Sequence, residues 1–273
     1  SFSQRRTMVP SLVAAIFITS ALLLLLRPIA VNIGLVDRPS LRKTHDSDVP
    51  LIGGIAMIVG LTLSMLLLPT SLESYRILFF GIGVLAVVGA LDDRHDVAPK
   101  AKIIVQFAVA TTLVSLDTVS VLHIGDIFAR DYPVYLGPLT DVLTIIAIVG
   151  VINALNMIDG LDGLAASTAI IALGVIAILL VISGRPDHIP LLALVLTVLF
   201  VFLVFNLEWL VGKSRQVFMG DAGSMVIGFI VAYFLIVSST GGKPPLRVTS
   251  VPWIIGLPLL DLVGVLMLRA LNK

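Results

Sequence analysis

Long apolar runs recur along almost the whole chain, beginning with PSLVAAIFITSALLLLL at positions 10–26. A stretch of about 20 mostly apolar residues is long enough to cross a bilayer as an α-helix. Charge-poor runs fall at roughly 8–31, 51–69, 77–91, 101–116, 139–157, 164–183, 189–207, 223–240 and 250–268, which predicts an all-α polytopic membrane protein with about nine transmembrane helices. The third and fourth runs are short. They count as spans because the charged segment between them cannot lie in hydrocarbon, while Lys100 and Lys102 can snorkel to the interface. With 58% hydrophobic and 13% charged residues in 273, the composition sits far from the roughly 25% charged residues of a soluble domain. The first run lacks a small-residue cleavage pattern after it, so it reads as a span rather than a signal peptide. No repeat, low-complexity tract or long linker divides the chain, and residues 1–273 read as a single integral-membrane domain. A formal net charge of +1 without a basic cluster argues against nucleic acid as a partner. The absence of cysteine excludes disulfides, thiolate chemistry and zinc–thiolate sites.

Loop charge predicts the orientation. One side holds Arg38, Arg42, Lys43, Arg94, Lys100, Lys102, Lys213 and Arg215, with Arg27, Arg269 and Lys273 at helix ends. The other holds Arg5, Arg6, Arg76, Arg130, Arg185, Lys243 and Arg247. The first set is expected to be cytoplasmic and the N-terminus outside. Between Asp117 and Pro138, SVLHIGD and PVYLGP suggest a short hairpin at the outer surface.

Under this topology three acidic segments, LDDRHDVAPK (91–100), NMIDGLDGL (156–164) and VFMGDAGS (217–224), share the cytoplasmic face, each at a helix end. Asp92 and Asp93 are adjacent carboxylates that repel unless a cation is near. Lys100, Lys102 or a bound Mg²⁺ would supply it. Asn156, Asp159 and Asp162 follow one another in three-residue steps, and Gly160 and Gly163 permit close backbone approach or positive φ. Asp221 precedes a span whose free N–H groups favour an anion, and its carboxylate is also a candidate Mg²⁺ ligand. Plain helix capping competes as an explanation: Asp162 could cap the run from Leu164, and Asp221 its own helix. Taken together, carboxylates, basic residues and glycines beside lipid point to phosphoryl transfer between a soluble phosphate donor and a lipid acceptor.

LDDRHDVAPKAKIIVQ, NALNMIDGLDGLA, VFMGDAGSMVIGF and the earlier HDSDVPLIGG, in this order and spacing, closely resemble the polyprenyl-phosphate N-acetylhexosamine-1-phosphate transferases. The resemblance implies transfer of a sugar-1-phosphate from a UDP-N-acetylhexosamine to undecaprenyl phosphate with release of UMP. It also implies Mg²⁺, replaceable by Mn²⁺, and a site facing the cytoplasm of a bacterial inner membrane. NMIDGLDG and PLIGG look more like the UDP-GlcNAc branch than the MurNAc-pentapeptide branch. On the matching positions the resemblance implies Asp92 and Asp93 as the catalytic pair, Asp221 as a metal ligand and Asn156 as a second metal or phosphate contact. Asp159, Gly160, Leu161 and Asp162 would border the uridine, Phe218 would stack on uracil, and Lys100 or Lys102 would hold the lipid phosphate. His45, in the first cytoplasmic loop, is a further binding candidate that a solvated loop histidine explains equally well.

The family continues beyond the equivalent of Lys273 into a histidine-containing cytoplasmic loop. Here the four histidines are His45, His95, His123 and His188, widely separated, so the expectation is either a C-terminally truncated chain or an absent sugar-recognition loop. Two readings of other classes compete. Asp261, inside the last run, would suit a cation-coupled transporter, though most acids fall at the membrane edge and no halves repeat. A non-catalytic scaffold would bind the nucleotide sugar without releasing UMP. Small-residue faces favour self-association, so a homodimer is an expected assembly.

Overall fold

The computed structural model describes residues 2–37, 48–68, 72–117, 137–240 and 244–271. His45 and the body of the expected outer hairpin lie outside these residues. The long elements are α1 (Phe2–Ile33), α2 (Gly53–Met65), α3 (Arg76–His95), α4 (Pro99–Asp117), α5 (Thr140–Ile158), α6 (Leu164–Ile182) and α7 (Ile189–Asn206). After a short α8 (Glu208–Val211) come α9 (Gly220–Ser239), α10 (Val251–Ile254) and α11 (Gly256–Leu271). Large apolar side chains such as Phe17 and Leu25 on α1, Ile104 and Leu116 on α4, and Ile171 on α6 are exposed. On a water-soluble protein so much exposed apolar surface would be a liability; here it is the lipid-facing belt. The chain's two tryptophans, Trp209 on α8 and Trp253 on α10, are among its most exposed side chains and flank opposite ends of the bundle, as interfacial aromatics do.

Two of the expected spans differ from the sequence reading. Among the described residues seven helices are long and apolar enough to cross, or eight with the bent pair α10–α11 counted as one. α2 has only 13 residues, which rise about 20 Å at 1.5 Å each. It starts at Gly53, just after β2 (Val49–Pro50), which pairs antiparallel with β1 (Val36–Asp37), and it closes after Met65 in a tight turn in which the amides of Leu66, Leu67 and Leu68 donate to the carbonyls of Leu63, Ser64 and Met65. α10 and α11 meet at 81°. A continuous helix would drive the Pro258 ring into the carbonyl of residue 254, so the break has a local cause. Beside it, α5, α9, α10 and α11 line an apolar groove of about 370 Å³ that includes Ala147, Val151, Leu235, Pro252 and Leu259.

α9 is the central column. Every residue from Gly220 to Ser239 except Asp221 is buried, against α2, α3, α5 and α6. Lipid tails are as apolar as leucine, so this core is held by close packing rather than by escape from water. Two glycines permit that closeness. A Cβ on Gly54 would lie 2.2 Å from the Gly223 nitrogen, and one on Gly89 would lie 2.4 Å from the Ala222 nitrogen. The segment before α9 completes the seam: Phe218 N donates to the Pro50 carbonyl, while Gly53 N and Gly54 N donate to the carbonyls of Phe218 and Met219, all at 2.9 Å. PLIGG and VFMGD thus meet backbone to backbone, at the end of the bundle where α3 and α5 end and α4, α6 and α9 begin.

Candidate active site

Asp92 lies in the last turn of α3 and Asp221 in the first turn of α9, and the Lys102 ammonium on α4 bridges them. Its Nζ donates to Asp92 Oδ2 at 2.5 Å and to Asp221 Oδ2 at 2.8 Å. The other Asp92 oxygen accepts from Val97 N at 2.7 Å, so the loop that reverses the chain between α3 and α4 also aims this carboxylate. Asn156, in the last turn of α5, donates through Nδ2 to Asp221 Oδ1 at 3.0 Å and to Ser224 Oγ at 2.8 Å. Four helices therefore converge on Asp221. Of the two candidate lysines only Lys102 joins the cluster; Lys100 is exposed.

Asp93 takes a different post from its neighbour. Its Oδ1 and Oδ2 accept from Asp221 N at 2.7 Å and Ala222 N at 3.2 Å. A carboxylate from α3 thus caps α9 across the bundle, at the end where the helix dipole favours negative charge. This corrects two expectations. Asp221 does not cap its own helix, whose N-cap residue Met219 offers no side-chain bond. The amides of residues 221 and 222 are occupied by Asp93 and are not open to a phosphate. Gly220, at φ +72°, is needed because a Cβ there would meet the Asp93 carboxylate at 2.6 Å.

Asp159 follows α5 directly as its C-cap and feels the negative charges of Asp221, Asp93 and Asp162. Burial first, then those charges, push its carboxyl well above the usual carboxylate range. Asp162 is exposed and turned elsewhere: its Oδ2 accepts from Gln216 Nε2 at 2.8 Å. The capping explanation fails here too, because the residue preceding α6 is Gly163 at φ +75°, with no side-chain cap. Gly163 N donates instead to Asn206 Oδ1, and Asn206 Nδ2 donates to the Val217 carbonyl at 2.9 Å. Gly160 and Leu161 are exposed at the tip of this turn, and Phe218 is half-buried.

Gln106, Asn153, Asn206, Gln216 and Ser224 were not singled out from sequence. The first three interrupt apolar runs, and a lone amide inside a span is itself a signal of a polar contact. Gln216 stands directly before VFMGD but pairs with a residue 54 positions away, which no local pattern reveals. Asp261, which motivated the transport reading, is exposed on α11 rather than buried inside the bundle where an ion path would need it.

Residues 75–239 match the family model described as glycosyl transferase family 4. The chain is 34% identical over 267 residues to an undecaprenyl-phosphate alpha-N-acetylglucosaminyl 1-phosphate transferase of Yersinia pestis, covering 98% of this chain and 72% of that protein. The protein of that name from Pasteurella multocida is 39% identical over 251 residues, 92% of this chain and 70% of the relative. The one from Haemophilus influenzae is 35% identical over 247 residues, 90% and 69% respectively. The chain belongs to glycosyl transferase family 4. The matched region opens at Tyr75 and closes with Ser239, so α3 to α9, and with them Asp92, Asp93, Lys102, Asn156, Asp159 and Asp221, all fall inside the family's extent.

A divalent cation fits this family member's donor set. Among the described residues no group of three or more His, Cys, Asp or Glu side chains is arranged to hold a metal alone. Mg²⁺ does not ask for one: it typically takes one or two carboxylates and completes its shell with substrate phosphate and water. Asp92 and Asp221 already share a cation in the form of Lys102, and Asn156 adds an amide beside them.

Proposed function

We propose that this protein transfers N-acetylglucosamine-1-phosphate from UDP-N-acetylglucosamine to undecaprenyl phosphate and releases UMP, with Mg²⁺ held by Asp221, Asp92 and Asn156. The observation that carries the reading is the Asp92–Lys102–Asp221 bridge, assembled from three helices at the membrane edge in a chain whose relatives bear that activity in their names. Supporting it, the apolar groove beside the broken helix suits a long isoprenoid chain better than it suits any water-soluble substrate.

In this mechanism an oxygen of the lipid phosphate attacks the sugar-bearing phosphorus, that P–O bond forms, and the bond to UMP breaks. Mg²⁺ bound at the carboxylates would neutralise pyrophosphate charge and ease departure of UMP. Lys102 exchanges its carboxylate contacts for phosphate oxygens as substrates enter, keeping the site's charge balanced. Asp92, steadied by Val97 N, orients the acceptor phosphate. Asp159 lies near enough to Asp221 to sense its charge and borders the same space, and the turn it begins would receive the uridine. Asp93 holds the first turn of α9, and thereby Asp221, in place. We place the site on the cytoplasmic side of a bacterial inner membrane because the larger share of loop lysine and arginine lies at that end and a nucleotide sugar is water-soluble. The homodimer rests on the small-residue faces of the spans.

The test is UMP release by the detergent-purified protein, given undecaprenyl phosphate and a panel of UDP-sugars, with Mg²⁺, with Mn²⁺ and with chelator. Release with UDP-N-acetylglucosamine that chelator abolishes supports the reading. Full turnover in both Asp92→Asn and Asp221→Asn would sink the site assignment, and UDP binding without UMP release would favour the scaffold.

A further inference from the structure

Directly beneath the cluster, one helical turn deeper into the bundle, lies a second set of polar contacts among three of its helices, α4, α5 and α9. Asn153 Nδ2 on α5 donates to Gln106 Oε1 on α4 at 2.6 Å and to the Val149 carbonyl at 2.8 Å. Gln106 Nε2 reaches Met225 Sδ on α9 at 3.4 Å. Gln106 is 2% exposed and Met225 1%. The spacing is that of neighbours on one helix face: Lys102 and Gln106 are four residues apart, Asn153 and Asn156 three, Asp221 and Met225 four. Of the four helices that present a site side chain, α4, α5 and α9 therefore also present, one turn below, a side chain that belongs to this deeper set.

We propose that Gln106 and Asn153 form an amide clasp that fixes the mutual rotation of α4, α5 and α9 and thereby sets the distances among Lys102, Asn156 and Asp221. Both are positioning residues: they act through the side chains above them. An amide buried in a span without a partner is costly, so α4 and α5 have one favourable rotation, the one in which these amides meet. Turning α4 by a single residue swings Gln106 about 100° away from Asn153 and carries Lys102 off its carboxylates at the same time. The inference rests on the phosphoryl-transfer reading, and the site's cation affinity gives it a second readout.

The experiment compares the wild type with Gln106→Met, Asn153→Leu and the exchanged pair Gln106→Asn with Asn153→Gln, which keeps one amide on each helix at unchanged total length. Both single variants should lose about tenfold or more in kcat, with KM for the UDP-sugar little changed, and should bind Mn²⁺ correspondingly more weakly by electron paramagnetic resonance. The exchanged pair should recover most of both. Leu113→Ala, a buried position further along α4, is the control: it should lower thermal stability and leave kcat alone. Wild-type kcat and Mn²⁺ affinity in Gln106→Met, or no recovery in the exchanged pair, overturns the clasp. A wild type that releases no UMP overturns the functional reading instead, and the Mn²⁺ comparison then decides the clasp by itself. A wild type that also fails to bind Mn²⁺ removes both.

Discussion

At the scale of single residues, the site carries more negative charge than its fold requires, and Asp159 shows it most plainly. Its carboxyl titrates well above the usual range because burial and the charges of Asp221, Asp93 and Asp162 disfavour ionisation. A raised native pKa means the native state holds the proton more tightly than the unfolded chain, so stability falls as pH rises from the ordinary carboxylate range through the raised value. Asp159→Asn should therefore raise the melting temperature of the ligand-free protein at neutral and alkaline pH. That gain should shrink as the pH is lowered, and the variant should lose turnover at every pH. A melting temperature unchanged at pH 8 would remove the electrostatic account. Asp93→Ala should do the reverse, costing about 1–2 kcal/mol through loss of the cap on α9, read as a lower melting temperature. That Asp92, Asn156 and Asp221 come together was legible in sequence because each stands at the end of an apolar run. The duty of Asp93 was not, since the amides it caps lie 128 and 129 positions away.

Between elements, the decisive feature is the approach of α2 and α3 to α9 at distances only glycine tolerates. Gly54→Ala places a methyl 2.2 Å from the Gly223 nitrogen, and backbone cannot swing aside as a side chain can. Overpacking of this kind costs about 1–3 kcal/mol, and because the contact lies next to Met219 and Gly220, activity should fall along with the melting temperature. The same substitution in open surroundings gives the comparison: Gly83→Ala meets nothing within 4 Å and should be silent by both measures. In the groove, Ala147→Trp should raise KM for undecaprenyl phosphate and leave KM for the UDP-sugar near wild type; equal effects on both would argue that the groove does not receive the lipid. Apolar periodicity and length sufficed to place most of the helices. They missed the shortness of α2, because Leu66, Leu67 and Leu68, which form the turn that closes it, are as apolar as the helix itself. The bend before α11 had a visible cause in Pro258, but hydropathy alone does not weigh it.

For the molecule as a whole, the absence of cysteine makes orientation directly measurable. A cysteine at Lys100, exposed at the site end, should react with a membrane-impermeant maleimide only when the inner face is accessible. One at Arg247, at the other end, should react in intact cells. The opposite pattern would invert the proposed topology. The fold class was legible from composition and run length, whereas the depth of α9 was not: its sequence is less apolar than that of α6 or α7, and its burial comes from where its neighbours stand. That burial governs the order of assembly. A ribosome delivers α2, α3, α5 and α6 well before α9, so the early helices reach the membrane without the column they are shaped to surround. Asp93 then has no amides to cap, and Lys102 and Asn156 have no Asp221. The polar cluster at this end of the bundle can therefore close only late in biogenesis, and a nascent chain stalled before residue 220 lacks the residue on which its contacts converge.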